Sequence, residues 1–72
     1  NALTLEEAYD TLGIAKTVSD KDVKTAYRSK AAEFHPDKLK SKNLPEEFIA
    51  FANEQLARIN QAHKVIRDAR GT

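Results

Sequence analysis

The stretch SDKDVKTAYRSKAAEFHPDK, residues 19–38, decides how the chain is read. Ser19 with Asp22 three places on offers a helix N-cap, because a serine oxygen can accept a backbone N–H from the first turn. Val23, Ala26, Tyr27, Ala31 and Phe34 then recur at intervals of three and four, the spacing of a single helix face. Pro36 closes the run, since it disfavours a helical residue before it and removes an N–H from the ladder after it. The spacing predicts a helix over 20–34 that stops at His35. Beyond it a rigid proline holds an imidazole and a carboxylate, Asp37, at the helix end with little conformational entropy left to lose.

The flanks complete an all-α reading. Toward the N-terminus, Thr4 and Glu7 have capping-box spacing, and Leu5, Ala8, Tyr9 and Leu12 follow at i, i+3, i+4 and i+7. A short helix over 4–12 is predicted, ending at Gly13, a natural C′ residue. Toward the C-terminus, residues 35–44 are mostly polar and are read as a loop. Pro45 then stands where a first helical residue favours proline, with Glu46 and Glu47 at the positive end of the dipole. Phe48, Phe51, Ala52, Leu56, Ile59, Ala62 and Ile66 continue at helical spacing, so the third helix, over 45–69, is the longest. A ten-residue link between the two longer helices suits an antiparallel hairpin, with the first helix laid across it. No strand signal, internal repeat or low-complexity tract is present.

Composition bounds what such a fold can do. A chain of 72 residues, 40% hydrophobic and 32% charged, is read as one domain over 1–72 with a modest core. Below about 80 residues such a core rarely supplies more than roughly 3–5 kcal/mol. Cysteine is absent, and the two histidines, His35 and His63, have no companions at metal-ligand spacing. The net charge of +1 does not announce a nucleic-acid binder, yet its distribution is uneven. Residues 1–15 hold three acids and no base, residues 16–44 eight bases against four acids, and residues 45–72 four of each. The basic excess therefore sits in the middle third. No apolar run approaches the roughly 18 residues of a membrane span, and the opening residues do not read as a signal-peptide pattern. Because it begins at Asn1 without Met, the sequence is expected to be a piece of a longer protein.

Two features could carry function. The first is His35-Pro36-Asp37, flanked by Lys38 and Lys40. Its bland reading is a helix stop, a turn-favouring Asp and a His stabilised by the helix C-terminus. Its functional reading is a rigid recognition point. Catalysis by the same pair would require a nucleophile or metal and a pocket that excludes water, and a helical domain of this size has little interior to enclose one. Ser29 and Ser41 stand in no catalytic motif, and His63, between Ala62 and Ile66, is read as a boundary packing residue. The second feature is Lys21, Lys24 and Arg28 at i, i+3 and i+7, a basic stripe leading toward the tripeptide. Together with Lys38, Lys40 and Lys42 it forms a basic surface that would steer a partner with an acidic groove.

The order Leu12-Gly13-Ile14, Ala26-Tyr27-Arg28 and Phe34-His35-Pro36-Asp37-Lys38 resembles the J domain, the DnaK-activating module of DnaJ-type co-chaperones. Leu56, Ile59, Ala62 and Ile66 match apolar positions of that family's third helix, so the resemblance runs from Leu5 to Ile66. A narrower likeness lies in His35-Pro36-Asp37-Lys38-Leu39 followed by Lys42-Asn43-Leu44-Pro45-Glu46. It is similar to the C-terminal J domain of DjlA-type membrane-anchored co-chaperones, where Gly commonly stands at Asn43. The chain departs from the family at His63, where Tyr is usual, and at Lys30, where Leu is common.

The resemblance implies a J-domain fold with its fourth helix absent or merged, and a mechanism without chemistry of its own. The domain would dock on an ATP-bound DnaK-type chaperone through His35, Pro36, Asp37, Lys21, Lys24, Tyr27, Arg28 and Lys38. It would stimulate the partner's ATP hydrolysis, with no cofactor or metal of its own, since the partner binds the ATP. The implied location is cytoplasmic, with neither nucleic acid nor membrane contacted by this segment, and the likeness to membrane-anchored relatives implies an inner-membrane anchor, if one exists, in segments outside this sequence. The alternative is a small three-helix nucleic-acid-binding domain. The ten-residue link and the acidic opening of the third helix argue against it.

Overall fold

The computed structural model describes residues 3–40 and 42–71. Its elements are α1 (Leu5–Leu12), α2 (Asp20–Glu33), α3 (Pro36–Lys40) and α4 (Glu46–Arg70). Among the described residues there is no strand, so the all-α class holds. The expected loop over 35–44 is corrected: its first half is a turn of helix, α3, because the proline that terminates α2 also fits the first position of a new helix. Ser41, within that expected loop, lies outside the described residues, as do Asn1, Ala2 and Thr72.

Local chemistry sets the helix ends. Glu7 N–H donates to Thr4 Oγ1 at 3.1 Å while Thr4 N–H donates to Glu7 Oε1 at 3.0 Å, a complete capping box. These bonds to Thr4 lower the Glu7 pKa below the usual carboxylate value. Gly13, at φ 69°, turns left-handed so that its N–H and that of Ile14 reach the Asp10 and Tyr9 carbonyls. Ser19 Oγ accepts the Asp22 N–H at 3.1 Å and starts α2. Pro45 is the N-cap of α4 and not its first helical residue, its carbonyl accepting from Phe48 and Ile49.

Asp20 meets Arg70, and Tyr27 meets Asn60 and His63, so α2 and α4 run antiparallel. The most extensive packing on α4 comes from α1, with α2 second. Ala8, Tyr9 and Leu12 of α1, Val23 of α2, and Ile59, Ala62 and Ile66 of α4 form the buried cluster. Leu3, Ile14, Val18, Ala26, Tyr27, Ala31, Phe34 and Val65 pack around it. Arg70 locks the open end. Its Nε donates to the Tyr9 hydroxyl at 2.9 Å, one terminal nitrogen to Asp20 Oδ1 at 2.7 Å, and the other to the Lys16 carbonyl at 3.2 Å.

The expected inward face of the long helix is corrected at its start. Phe48 and Phe51 are 58% and 54% exposed and, with Glu47, line a shallow hollow. The 25 residues of α4, about 37 Å long, outreach the 8 of α1 and the 14 of α2, so the first turns have no long helix over them. Lys30 is accommodated as a snorkelling residue: it is half-buried, and its Cε lies 3.9 Å from where a Cβ on Gly13 would stand.

Candidate functional site

The basic stripe is laid out along α2. Lys21, Lys24 and Arg28 are all exposed, and none forms an ion pair among the described residues. Tyr27, grouped with them on the sequence, is instead turned into the helix pair. Its ring stacks on His63 with centroids 4.1 Å apart and planes at 10°, and its hydroxyl donates to Asn60 Oδ1 at 2.7 Å. Tyr27 therefore ties α2 to α4 from the boundary of the core, and any partner would reach only what that packing leaves open. Nothing in the spacing of Asn60 and His63 marks them as its supports, since both sit beside core positions on an ordinary helical pattern.

His63 lines a groove of about 290 Å³ together with Lys24 and Arg67. Its pKa is lowered, first by burial and then by the positive charges of Arg67 and Lys24. The unfolded chain thus binds a proton more readily than the folded one. Stability contributed at this site is fully present above the ordinary histidine value of 6.5 and is lost as pH falls below it. Thermal midpoints should decline on acidification through that window, before the lower range in which Glu7 titrates. The variant His63→Tyr, which keeps an aromatic ring for the stack and loses the titration, should show a flatter profile. An equal decline in both proteins would place the pH sensitivity elsewhere.

At the other end of α2, the tripeptide forms the junction with α3. Phe34 is the C-cap of α2, His35 stands between the helices, and Pro36 and Asp37 are the first two residues of α3. Pro36 fixes the entry dihedral and lacks only an N–H that has no helical acceptor there. The Asp37 N–H donates to His35 Nδ1 at 3.2 Å, and the His35 carbonyl accepts from Lys38 at 3.1 Å and Leu39 at 3.2 Å. The Asp37 side chain is 87% exposed, and that of His35 55%. Lys38, Lys40 and Lys42 follow, all exposed, and Asn43 closes the link with a left-handed φ of 53°. The structure thus brings His35, Pro36, Asp37 and Lys38 together at one helix start, with Arg28 about two turns upstream on α2.

The family model of the DnaJ domain matches residues 7–71. This chain belongs to the DnaJ-domain family. The J domain is 42% identical over 67 residues to the co-chaperone protein DjlA of Vibrio cholerae, covering 93% of this chain and 24% of that protein. It is 40% identical over 68 residues to DjlA of Escherichia coli K12, covering 94% and 25%. With DjlA of Photobacterium profundum it shares 39% over 67 residues, covering 93% and 24%. The chain spans about a quarter of the length of these curated relatives. No solved structure gives a significant match. Within this J domain the left-handed backbone at Asn43 gives the position its logic, because asparagine tolerates that conformation better than other side chains and glycine adopts it freely. Among the described residues no helix is long and apolar enough to cross a membrane.

Proposed function

We propose that this J domain is a co-chaperone module that docks on an ATP-bound DnaK-type chaperone and stimulates its ATP hydrolysis. The observation that carries the reading is the placement of Asp37, in the first turn of a helix of its own with its carboxylate almost fully in water. Support comes from the co-chaperone names of its relatives. The domain contributes no reacting group and acts as a regulator of its partner. It binds the hydrolysis-competent arrangement of the chaperone more tightly than the resting one, and so shifts the population toward it. Lys21, Lys24, Arg28 and Lys38 orient the approach, and the tripeptide meets the switch. In this reading the domain works in the cytoplasm, beside the ATP-loaded partner. The test is single-turnover ATP hydrolysis by a DnaK-type chaperone with and without the domain. An unchanged rate would sink the proposal.

The stripe should act mainly on association. Lys24 and Arg28 are exposed and outside any ion pair of the described residues, so the double reversal Lys24→Glu, Arg28→Glu has little stability to remove. Surface pairs of this kind are worth about 0–1 kcal/mol. Reversing both shifts the approaching face by about −4 charges, enough to slow association by roughly 10-fold or more at low salt. The parent's association rate should also fall as salt rises, because the Debye length shrinks from about 10 Å at 0.1 M to about 3 Å at 1 M. Stopped-flow association with the ATP-loaded chaperone across a salt series would show both effects. Equal rates for parent and variant at low salt would reduce the stripe to a solvated face.

A further inference from the structure

We infer that His35 is a positioning residue: its imidazole caps α3 and thereby aims the Asp37 carboxylate, the group of the tripeptide that meets the partner. The inference rests on the docking reading above and divides the labour within the motif.

The helix concerned has only five residues, far fewer than the roughly 12–15 at which a helix becomes marginally stable alone. Its geometry therefore depends on how its ends are held. Pro36 has no N–H. The remaining donors of the first turn, on Asp37, Lys38 and Leu39, all go to His35, the first to the imidazole and the other two to the carbonyl. One residue satisfies the entire start of the helix. To accept the Asp37 N–H, Nδ1 must present its lone pair, which puts the ring proton on Nε2. An Nδ1 that accepts cannot also donate, so the 3.9 Å approach of Asp37 Oδ2 to the same nitrogen is not an ion pair in the capped state. The carboxylate is left outside the cap, 87% exposed, on a backbone that the cap has fixed.

Histidine is an unusual cap, and its chemistry suggests which replacements can stand in. Nδ1 lies two bonds beyond Cβ, the position that Oδ1 occupies in asparagine, a strong N-cap residue. Glutamine carries the same amide one methylene further out, where it overshoots the Asp37 N–H. If His35 acts by capping, asparagine should replace it and glutamine should not, although glutamine is the closer match to the Nε2 end of the ring. If the imidazole itself contacts the partner, this order has no reason to appear.

The experiment compares the parent with His35→Asn, His35→Ser, His35→Gln, His35→Ala and Asp37→Asn. Stimulation is read as single-turnover ATP hydrolysis by a DnaK-type chaperone over a range of domain concentrations. The cap is read independently, as the temperature coefficient of the Asp37 amide proton in the free domain. Stimulation is expected to track that coefficient across the four His35 variants, with Asn near the parent and Gln and Ala reduced by about 10-fold, the population shift a lost cap produces. An Asn or Ser variant that keeps the amide bonded and yet fails to stimulate would overturn the inference, as would a Gln or Ala variant that loses the bond and stimulates fully. Failure of the docking reading has a different signature: a parent that does not stimulate, or Asp37→Asn acting like the parent, removes that reading and this inference with it.

Discussion

Replacing Ile66 with alanine is expected to leave the domain largely unfolded at 25 °C. Ile66 is completely buried and is the largest side chain of which that is true. It sits in the cluster where Ala8, Tyr9 and Leu12 of α1 and Val23 of α2 converge on α4. Truncation to alanine removes three carbons from a site that two other helices hold open, and such changes cost about 2–5 kcal/mol. A core in a chain this short, without a disulfide, supplies only about 3–5 kcal/mol in total. The cost is of the size of the whole stability. Phe51→Ala provides the contrast, since Phe51 lies on the same helix at the same periodic spacing but is 54% exposed. Removing that ring should move stability by no more than about 0.5 kcal/mol. Urea unfolding followed by circular dichroism distinguishes the two, and a cooperative Ile66→Ala variant with a midpoint close to the parent's would show that the core is not centred there.

That contrast marks the boundary of what the sequence made legible. Helix starts and stops could be read because their causes are local: a capping box needs only Thr4 and Glu7, and a left-handed stop only Gly13. The face of α4 could be read from periodicity as well. Whether anything covers that face could not, because coverage depends on the lengths and placement of other helices, and it fails at Phe48 and Phe51. The short helix α3 was hidden for another reason. On the sequence Pro36 marks the end of one helix, yet its fixed dihedral and missing N–H equally suit the beginning of the next. Histidine is not among the side chains usually read as caps, so the cap on α3 had no signature.

Arg70 shows the limit at long range. Its partners Tyr9, Lys16 and Asp20 are 50 to 61 residues away, and a basic residue in the last turn of a helix is already accounted for by the helix dipole. The candidate site followed the same division. The tripeptide and the stripe were visible as residues, whereas the inward turn of Tyr27 and the separate tasks of His35 and Asp37 appeared only with their hydrogen bonds.

Asp37→Asn is expected to abolish most of the stimulation while leaving the fold as it is. The side chain is 87% exposed and makes no hydrogen bond to the α3 cap, which uses only the Asp37 backbone N–H. What the substitution removes from the fold is a charge near the positive end of a five-residue helix, a small and solvent-screened contribution. Thermal stability should therefore change by no more than about 0.5 kcal/mol. At the interface the same change is large. An exposed carboxylate presented on a fixed backbone suits charge-assisted hydrogen bonds to a cationic or N–H-rich surface, and losing a bond to a charged group costs about 1.5–3 kcal/mol, or roughly 10- to 100-fold in the stimulated rate. Asparagine has nearly the same shape, so the loss reports charge and acceptor capacity and not packing. Asp37→Glu tests the other requirement: it restores the charge one methylene further out, and if aim matters as the capped backbone implies, it should recover only part of the stimulation. Single-turnover hydrolysis with the ATP-loaded chaperone, beside thermal melts of each variant, reads both quantities. Full stimulation by the Asn variant would mean the carboxylate is not the group the partner reads, and full stimulation by the Glu variant would mean its placement is not what the cap secures.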